Sequence, residues 1–393
     1  MTQLLPFLLI LTASILFSEL SNRLHLPWVI ALIIGGMLIG PDGFDIFVSN
    51  ETIGFLSEIG LIFLMFMAGL ETKLSSFDKS RGKVLFVAFV NGLVPFMAGL
   101  GIGYMFGYGL QISFLLGIIF TSSSLAVVIP SLDARGILRT SFGQTVVATT
   151  ILQDVASLIL FSIFFQSVDP VTSIPLPLFY VLLVALLVFL RFAIPKLRAF
   201  MLKGVHRAGD IFQQDLRAVF VILFGIVVIF ELLGLHAIIA AFFAGFVLSD
   251  SISSDILKDK LRSISYGLFI PIFFITVGAG TDLSVFANFE TVGVLILVIV
   301  LGSVISKYVS GAVSGRLAGF SIKESRILGA SSIPQLSTTL AVVFSAQQLG
   351  IIPAEIATAM VVLSIVTTFI SPSLLSFLSK PESVKEEIQA AEG

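Results

Sequence analysis

Cysteine is absent from the 393 residues. That excludes disulfide frameworks, thiolate metal centres and thiol nucleophiles. Three histidines leave little for an imidazole metal site. Charge is scarce too: Asp, Glu, Lys and Arg make up 12% of the chain, about half the share in an ordinary soluble domain. The formal net charge of −2 offers no basic field for nucleic acid. What fills the chain instead is apolar: 57% of residues are hydrophobic and the mean hydropathy is +1.10. This composition is that of a membrane protein, not of a soluble enzyme. The apolar N-terminus, Met1 to Phe17, lacks a basic leading region and a small-residue cleavage site. It reads as a retained helix.

A membrane span takes about 20 apolar residues. Runs separated by Gly, Pro or charge give thirteen candidates, at 3–20, 26–40, 52–72, 84–107, 111–131, 140–166, 175–197, 212–234, 236–250, 263–281, 289–312, 323–347 and 353–379. The second and ninth are short. Of the 22 Lys and Arg, 21 fall in odd-numbered loops, in the span ends that flank them or in the C-terminal tail, and none falls in an even loop. The even loops and the span ends beside them carry acids instead, among them Asp42, Asp45, Glu51, Asp169, Glu290 and Glu355. The positive-inside rule then predicts cytoplasmic odd loops, an outside N-terminus and an inside C-terminus. The expected location is the cytoplasmic membrane, crossed many times. The one basic residue left over is Lys307, inside the eleventh span.

The sequence also matches itself. LHLPWVIALIIGGMLIG (24–40) resembles LGLHAIIAAFFAGFVLS (233–249), GLETKLSSF (69–77) resembles GAGTDLSVF (278–286), and SSSLAVV (122–128) resembles STTLAVV (337–343). The offsets, 209 to 215 residues, correspond to seven spans. Seven is odd, so the second copy is predicted to sit upside down relative to the first, with the seventh span as linker. Two inverted six-helix halves are a transporter architecture.

Polar residues inside the spans carry the chemistry. Asp154 lies fourteen residues past Thr140, roughly 21 Å into its helix and near the bilayer middle. A carboxylate there is costly unless paired or hydrated. Burial disfavours its charged form and a nearby cation favours it, so it is suited to exchanging a proton for a cation. Lys307, from the opposite half, is the expected partner; the bland alternative is a lysine snorkelling to the interface. Gln153 either orients Asp154, binds the ion through its carbonyl, or packs away from it. Thr121, Ser122, Ser123 and Ser124 stand mid-span, with Pro130 downstream. The matching segment in the second copy is Pro334-Gln335-Leu336-Ser337-Thr338-Thr339. Proline removes a backbone donor and hydroxyls satisfy freed carbonyls, the composition of a discontinuous helix. Two such breaks at matched positions predict a midplane site where they cross. Ordinary hydroxyl packing between helices is the competing reading for either cluster alone.

These residues together resemble the monovalent cation:proton antiporter-2 family. The carriers are GLIFLMFMAGLE (60–71), TSSSLAVV (121–128), ILQD (151–154), AFFAGFVLSD (241–250), FFITVGAGTDL (273–283) and Lys307. The resemblance implies an all-α polytopic fold of thirteen helices in two inverted six-helix repeats. It implies dimer-domain helices in 1–82 and 211–285, core-domain helices in 83–167 and 286–379, a linker helix in 168–210 and a cytoplasmic tail in 380–393. It further implies a homodimer in the bilayer, elevator-like alternating access, Asp154 as the residue binding the monovalent cation, and no cofactor beyond the transported Na+ or K+ and H+. Many sodium/proton members carry Asp-Asp or Asn-Asp where this chain has Gln153-Asp154. Gln-Asp resembles the glutathione-gated potassium efflux branch, so the ion stays open between Na+ and K+. Members of that branch carry a nucleotide-binding regulatory domain, which is not expected here, where Lys380 to Gly393 follow the last span. The competing function is a sodium-coupled symporter of an organic anion on the same architecture. A channel lacks a filter motif, and no Ser-His-Asp set points to an enzyme.

Overall fold

The computed structural model describes residues 4–24, 27–71, 81–168, 175–201, 214–233, 235–249, 251–252, 254–284 and 292–379. No strand occurs among them. The loop residues Lys73, Lys79, Asp169, Lys203, Arg207 and Glu290 and the tail from Lys380 lie outside the described residues.

The helices run α1 (Leu4–Leu24), α2 (Trp28–Ile39), α3 (Glu51–Glu71), α4 (Arg81–Met105), α5 (Leu110–Thr121), α6 (Leu125–Asp133), α7 (Ser141–Val168) and α8 (Leu176–Met201). They continue as α9 (Gln214–Leu232), α10 (Ala237–Leu248), α11 (Asp255–Ile264), α12 (Ile270–Ala279), α13 (Val294–Leu317), α14 (Ile322–Ser332), α15 (Ser337–Gln348) and α16 (Ala354–Leu378). Among the described residues, nine helical segments are long and apolar enough to cross a membrane, counting α5–α6, α11–α12 and α14–α15 as one each. Three shorter apolar helices, including α2 and α10, join them.

The segment expected at 263–281 begins earlier, at Asp255. Lys258, Lys260 and Arg262, read from the sequence as loop residues, are helical. Ser254 caps α11 by accepting from the Leu257 N–H, and Leu257 and Leu261 are buried while the charged positions face outward. This one-sided helix has too little overall hydropathy to register as a span. It joins α12 through a π-helical turn, Ser265–Phe269. Pro271 explains the widening: it has no N–H to return to the carbonyl one turn back.

Two groups of helices pack together. In one, α4, α5, α13, α14 and α16 gather with α7; in the other, α2 packs on α12 and α3 on α10, with α1 and α9 alongside. Glycine sets the second group. A Cβ on Gly36 would stand 2.1 Å from the Ile275 carbonyl oxygen, and one on Gly278 would stand 2.1 Å from that of Ile33. The α3·α10 contact repeats the arrangement: Gly69 would meet the Phe242 oxygen at 2.0 Å and Gly245 the Phe66 oxygen at 2.1 Å. The sequence repeat pairs Gly36 with Gly245 and Gly69 with Gly278. The two matched segments therefore build the same backbone-to-backbone contact twice, the close approach that small residues permit between membrane helices.

Candidate functional site

The first group of helices contains two interruptions. Between α5 and α6, Ser122 (φ −68°, ψ 155°) and Ser124 (φ −94°, ψ 108°) are extended. Hydroxyls make this break. Thr121 Oγ1 donates back to the Gly117 carbonyl at 3.1 Å and Ser122 Oγ to that of Ile119 at 3.2 Å, competing with the helical ladder. Pro130 is not the breaker: it lies inside α6. Between α14 and α15 the breaker is Pro334, followed by Leu336 at φ −146°, ψ −85°.

The breaks meet. The Ser124 N–H donates to the Pro334 carbonyl at 2.7 Å, Ser123 Oγ to the Ser332 carbonyl at 3.0 Å, and the Ser122 and Thr339 hydroxyls are 3.0 Å apart. All of these residues are buried, as are Thr121, Gln335, Ser337 and Thr338.

An α-helix ends with carbonyls that lack helical partners and carry partial negative charge. At the end of α5 every one is satisfied by side chains from elsewhere. Ser157 Oγ donates to the Ile118 carbonyl at 3.0 Å. Gln335 Nε2 reaches those of Ile119, Phe120 and Ser122 at 3.3, 3.2 and 3.3 Å. Lys307 Nζ donates to the Thr121 carbonyl at 3.3 Å, to that of Ser122, and to Ser123 Oγ at 2.9 Å. Lys307 is fully buried, so the snorkelling alternative is excluded. A membrane lysine is held here by a helix C-terminus.

Asp154 is 3% exposed. Its Oδ1 accepts from the Ser123 N–H at 3.2 Å, and the Thr338 side chain hydrogen-bonds the carboxylate as well. Ser123 and Thr338 are mates in the internal repeat. No ion pair within 4 Å joins Asp154 to Lys307 among the described residues. Ser123 stands between them: its backbone binds the acid and its hydroxyl binds the base.

Gln153 is buried, but its Nε2 has no hydrogen-bond partner among the described residues. It lines an apolar groove with Leu85, Phe89, Leu93, Phe96 and Thr121. Asn91 of α4, which the sequence reading passed over, is fully buried; its Nδ2 donates to Ser332 Oγ at 2.6 Å, and its Oδ1 accepts from Ser310 Oγ at 2.6 Å. Ser310 also donates to the Lys307 carbonyl at 3.2 Å. The signal was present: an amide in the middle of FVAFVNGLVPF.

Access to the site is unequal. A cavity of about 560 Å³ runs from Glu71, Asp255, Lys258 and Arg262 down to Leu125 and Ala126, the first residues of α6. Arg262 pairs with Glu71 there at 3.6 Å. At the other end of the α11–α12 segment, the crevice lined by Thr276, Thr281, Gln347 and Thr358 holds about 30 Å³.

A polytopic helical fold that buries an acid and a base at two crossing helix breaks defines an ion-handling membrane protein. The chain belongs to the family described as sodium/hydrogen exchanger, transmembrane, whose sequence model matches residues 7–380. It is 30% identical to the Methanocaldococcus jannaschii protein named probable Na+/H+ antiporter 3, over 95% of each chain. It is 29% identical to the Na+/H+ antiporter of Enterococcus hirae, over 95% of this chain and 97% of that one. It is also 28% identical to the Na+/H+-K+ antiporter GerN of Bacillus cereus, over 94% of each. In three dimensions it resembles the sodium proton antiporter MjNhaP1 from Methanocaldococcus jannaschii, with a TM-score of 0.70, 17% identity, and 94% of this chain and 96% of that one covered.

Proposed function

We propose that the protein exchanges a monovalent cation, Na+ or K+, for H+ across the cytoplasmic membrane, with Asp154 as the cation-binding carboxylate and Lys307 as the proton carrier. The observation that carries this reading is the Ser123 bridge, which couples a buried carboxylate to a buried ammonium without letting them neutralise each other. A cation arriving at Asp154 adds a positive charge beside the bridge, and Lys307 answers by releasing its proton. The pair then carries the same charge in both loaded states, so one-for-one exchange is electroneutral. If Asp154 itself is protonated on return, two protons move per cation. The hydroxyls of Ser124, Thr338 and Thr339 are the added oxygen ligands in this reading. Family membership and the antiporter relatives support cation/proton exchange and do not favour the organic-anion symporter.

The unequal cavities support alternating access with the Arg262 side open. In the proposed frame, thirteen crossings form two inverted halves, the core helices move as an elevator against the dimer helices of a homodimer, and the open side is cytoplasmic. The doubled glycine contacts and the Ser123/Thr338 pair support the inversion. The test is pH-dye dequenching in proteoliposomes with an imposed proton gradient, adding Na+, K+ or Li+. The cation that dequenches names the substrate. Dequenching that survives unchanged in Asp154→Asn refutes the assignment.

A further inference from the structure

Lys307 cannot lose its proton without consequence for α5. Its charge-assisted bonds to the Thr121 and Ser122 carbonyls weaken when the ammonium becomes an amine, and a buried carbonyl left without a donor is costly. Another side-chain donor already shares one of these carbonyls with Lys307. Gln335 Nε2 carries two hydrogens and has three carbonyl oxygens within 3.3 Å, those of Ile119, Phe120 and Ser122. The Ser122 oxygen is shared with Lys307. Gln335 is fully buried and held at both ends: its Oε1 accepts from Ser303 Oγ at 3.4 Å and its N–H donates to Thr367 Oγ1 at 3.2 Å.

Resting on the antiport reading, we propose that Gln335 is a spare donor for the α5 terminus. It is a positioning residue that takes over the Ser122 carbonyl as Lys307 releases its proton, and so sets the pH at which exchange switches on. The charge facing Lys307 is that of Asp154, through Ser123. The other elements packed on α13 present uncharged groups, Asn91 from α4, Ser332 from α14 and Thr367 from α16. The charged residues of those helices, Arg81 and Lys83, Lys323, Glu324 and Arg326, and Glu355, stand within five residues of their N-terminal ends.

The test is the pH midpoint of cation-driven proton movement in proteoliposomes, for wild type, Gln335→Met and Ser303→Ala. Methionine keeps the volume and removes the donor. Without the spare donor the deprotonated lysine is disfavoured, so the Gln335→Met midpoint moves to alkaline pH by about half to one unit. At high pH it still moves protons in response to the cation, at a reduced maximal rate, because Asp154 and its Ser123 and Thr338 donors are untouched. Ser303→Ala, which frees the amide to turn, moves the midpoint the same way by less. A second arm needs no transport: the melting temperature of the detergent-purified full chain is followed against pH, and the step absent from Lys307→Met is assigned to the lysine. That step shifts to alkaline pH in Gln335→Met. If wild-type vesicles move no protons in response to any cation, the antiport reading falls, while a shifted melting step still upholds the spare donor. A Gln335→Met melting step within about 0.2 unit of wild type overturns the proposal, whatever the vesicles show.

Discussion

Ser123 holds Asp154 by its amide and Lys307 by its hydroxyl, so each charge is stabilised by groups that survive loss of the other. Asp154→Asn removes the charge that attracts the cation and puts an NH2 donor where one of the two acceptor oxygens stood. Breaking a buried charged contact of this kind costs about 3–5 kcal/mol, so cation-driven proton movement falls by roughly two to four orders of magnitude. Lys307→Met acts differently. It leaves the Thr121 carbonyl without its donor, and melting in detergent shows a loss of about 1–3 kcal/mol even where transport is not measured. Asp154 and Lys307 were legible in the sequence because a charge inside an apolar run is conspicuous. Neutral side chains were not legible to the same depth. Gln153 and Gln335 look alike in the sequence, yet one points its amide into an apolar groove and the other covers a helix end. Asn91 was passed over because nothing in its own helix shows that Ser310 and Ser332 come to meet it.

At the scale of elements, the breaks were readable because they occur twice, with hydroxyls at matched positions. Their causes were less readable. Proline acts at the second break only, since Pro130 lies far enough along α6 to be absorbed by the helix. The start of α11 was missed for a physical reason: a one-sided charged helix has low mean hydropathy however well it packs. The glycine contacts make a sharp prediction. Gly278→Ala pushes a methyl to 2.1 Å from the Ile33 oxygen, and overpacking of that kind costs about 1–3 kcal/mol. Gly225→Ala, on α9 with nothing within 4 Å of the new methyl, is neutral or gains up to about 1 kcal/mol of helix propensity. Thermal melting of the two purified variants, compared with wild type, checks the contrast.

Across the whole molecule, the natural absence of cysteine makes the unequal access directly measurable. Ala126→Cys lines the wide cavity and Thr358→Cys the narrow crevice. In sealed vesicles of known orientation, a membrane-impermeant maleimide labels Ala126→Cys from the Arg262 side at least about tenfold faster than it labels Thr358→Cys from the other, in keeping with the reach of water into each space. Equal labelling contradicts the one-sided opening. The glycine seams bear on the same question from the opposite direction. Where α2 lies on α12 and α3 on α10, carbonyl oxygens sit where side chains would otherwise begin, and no gap is left for a water molecule. Such a panel is an electrical insulator. It gives ions no wet path of their own, so in the proposed exchange their passage is confined to the sector that holds Asp154 and Lys307.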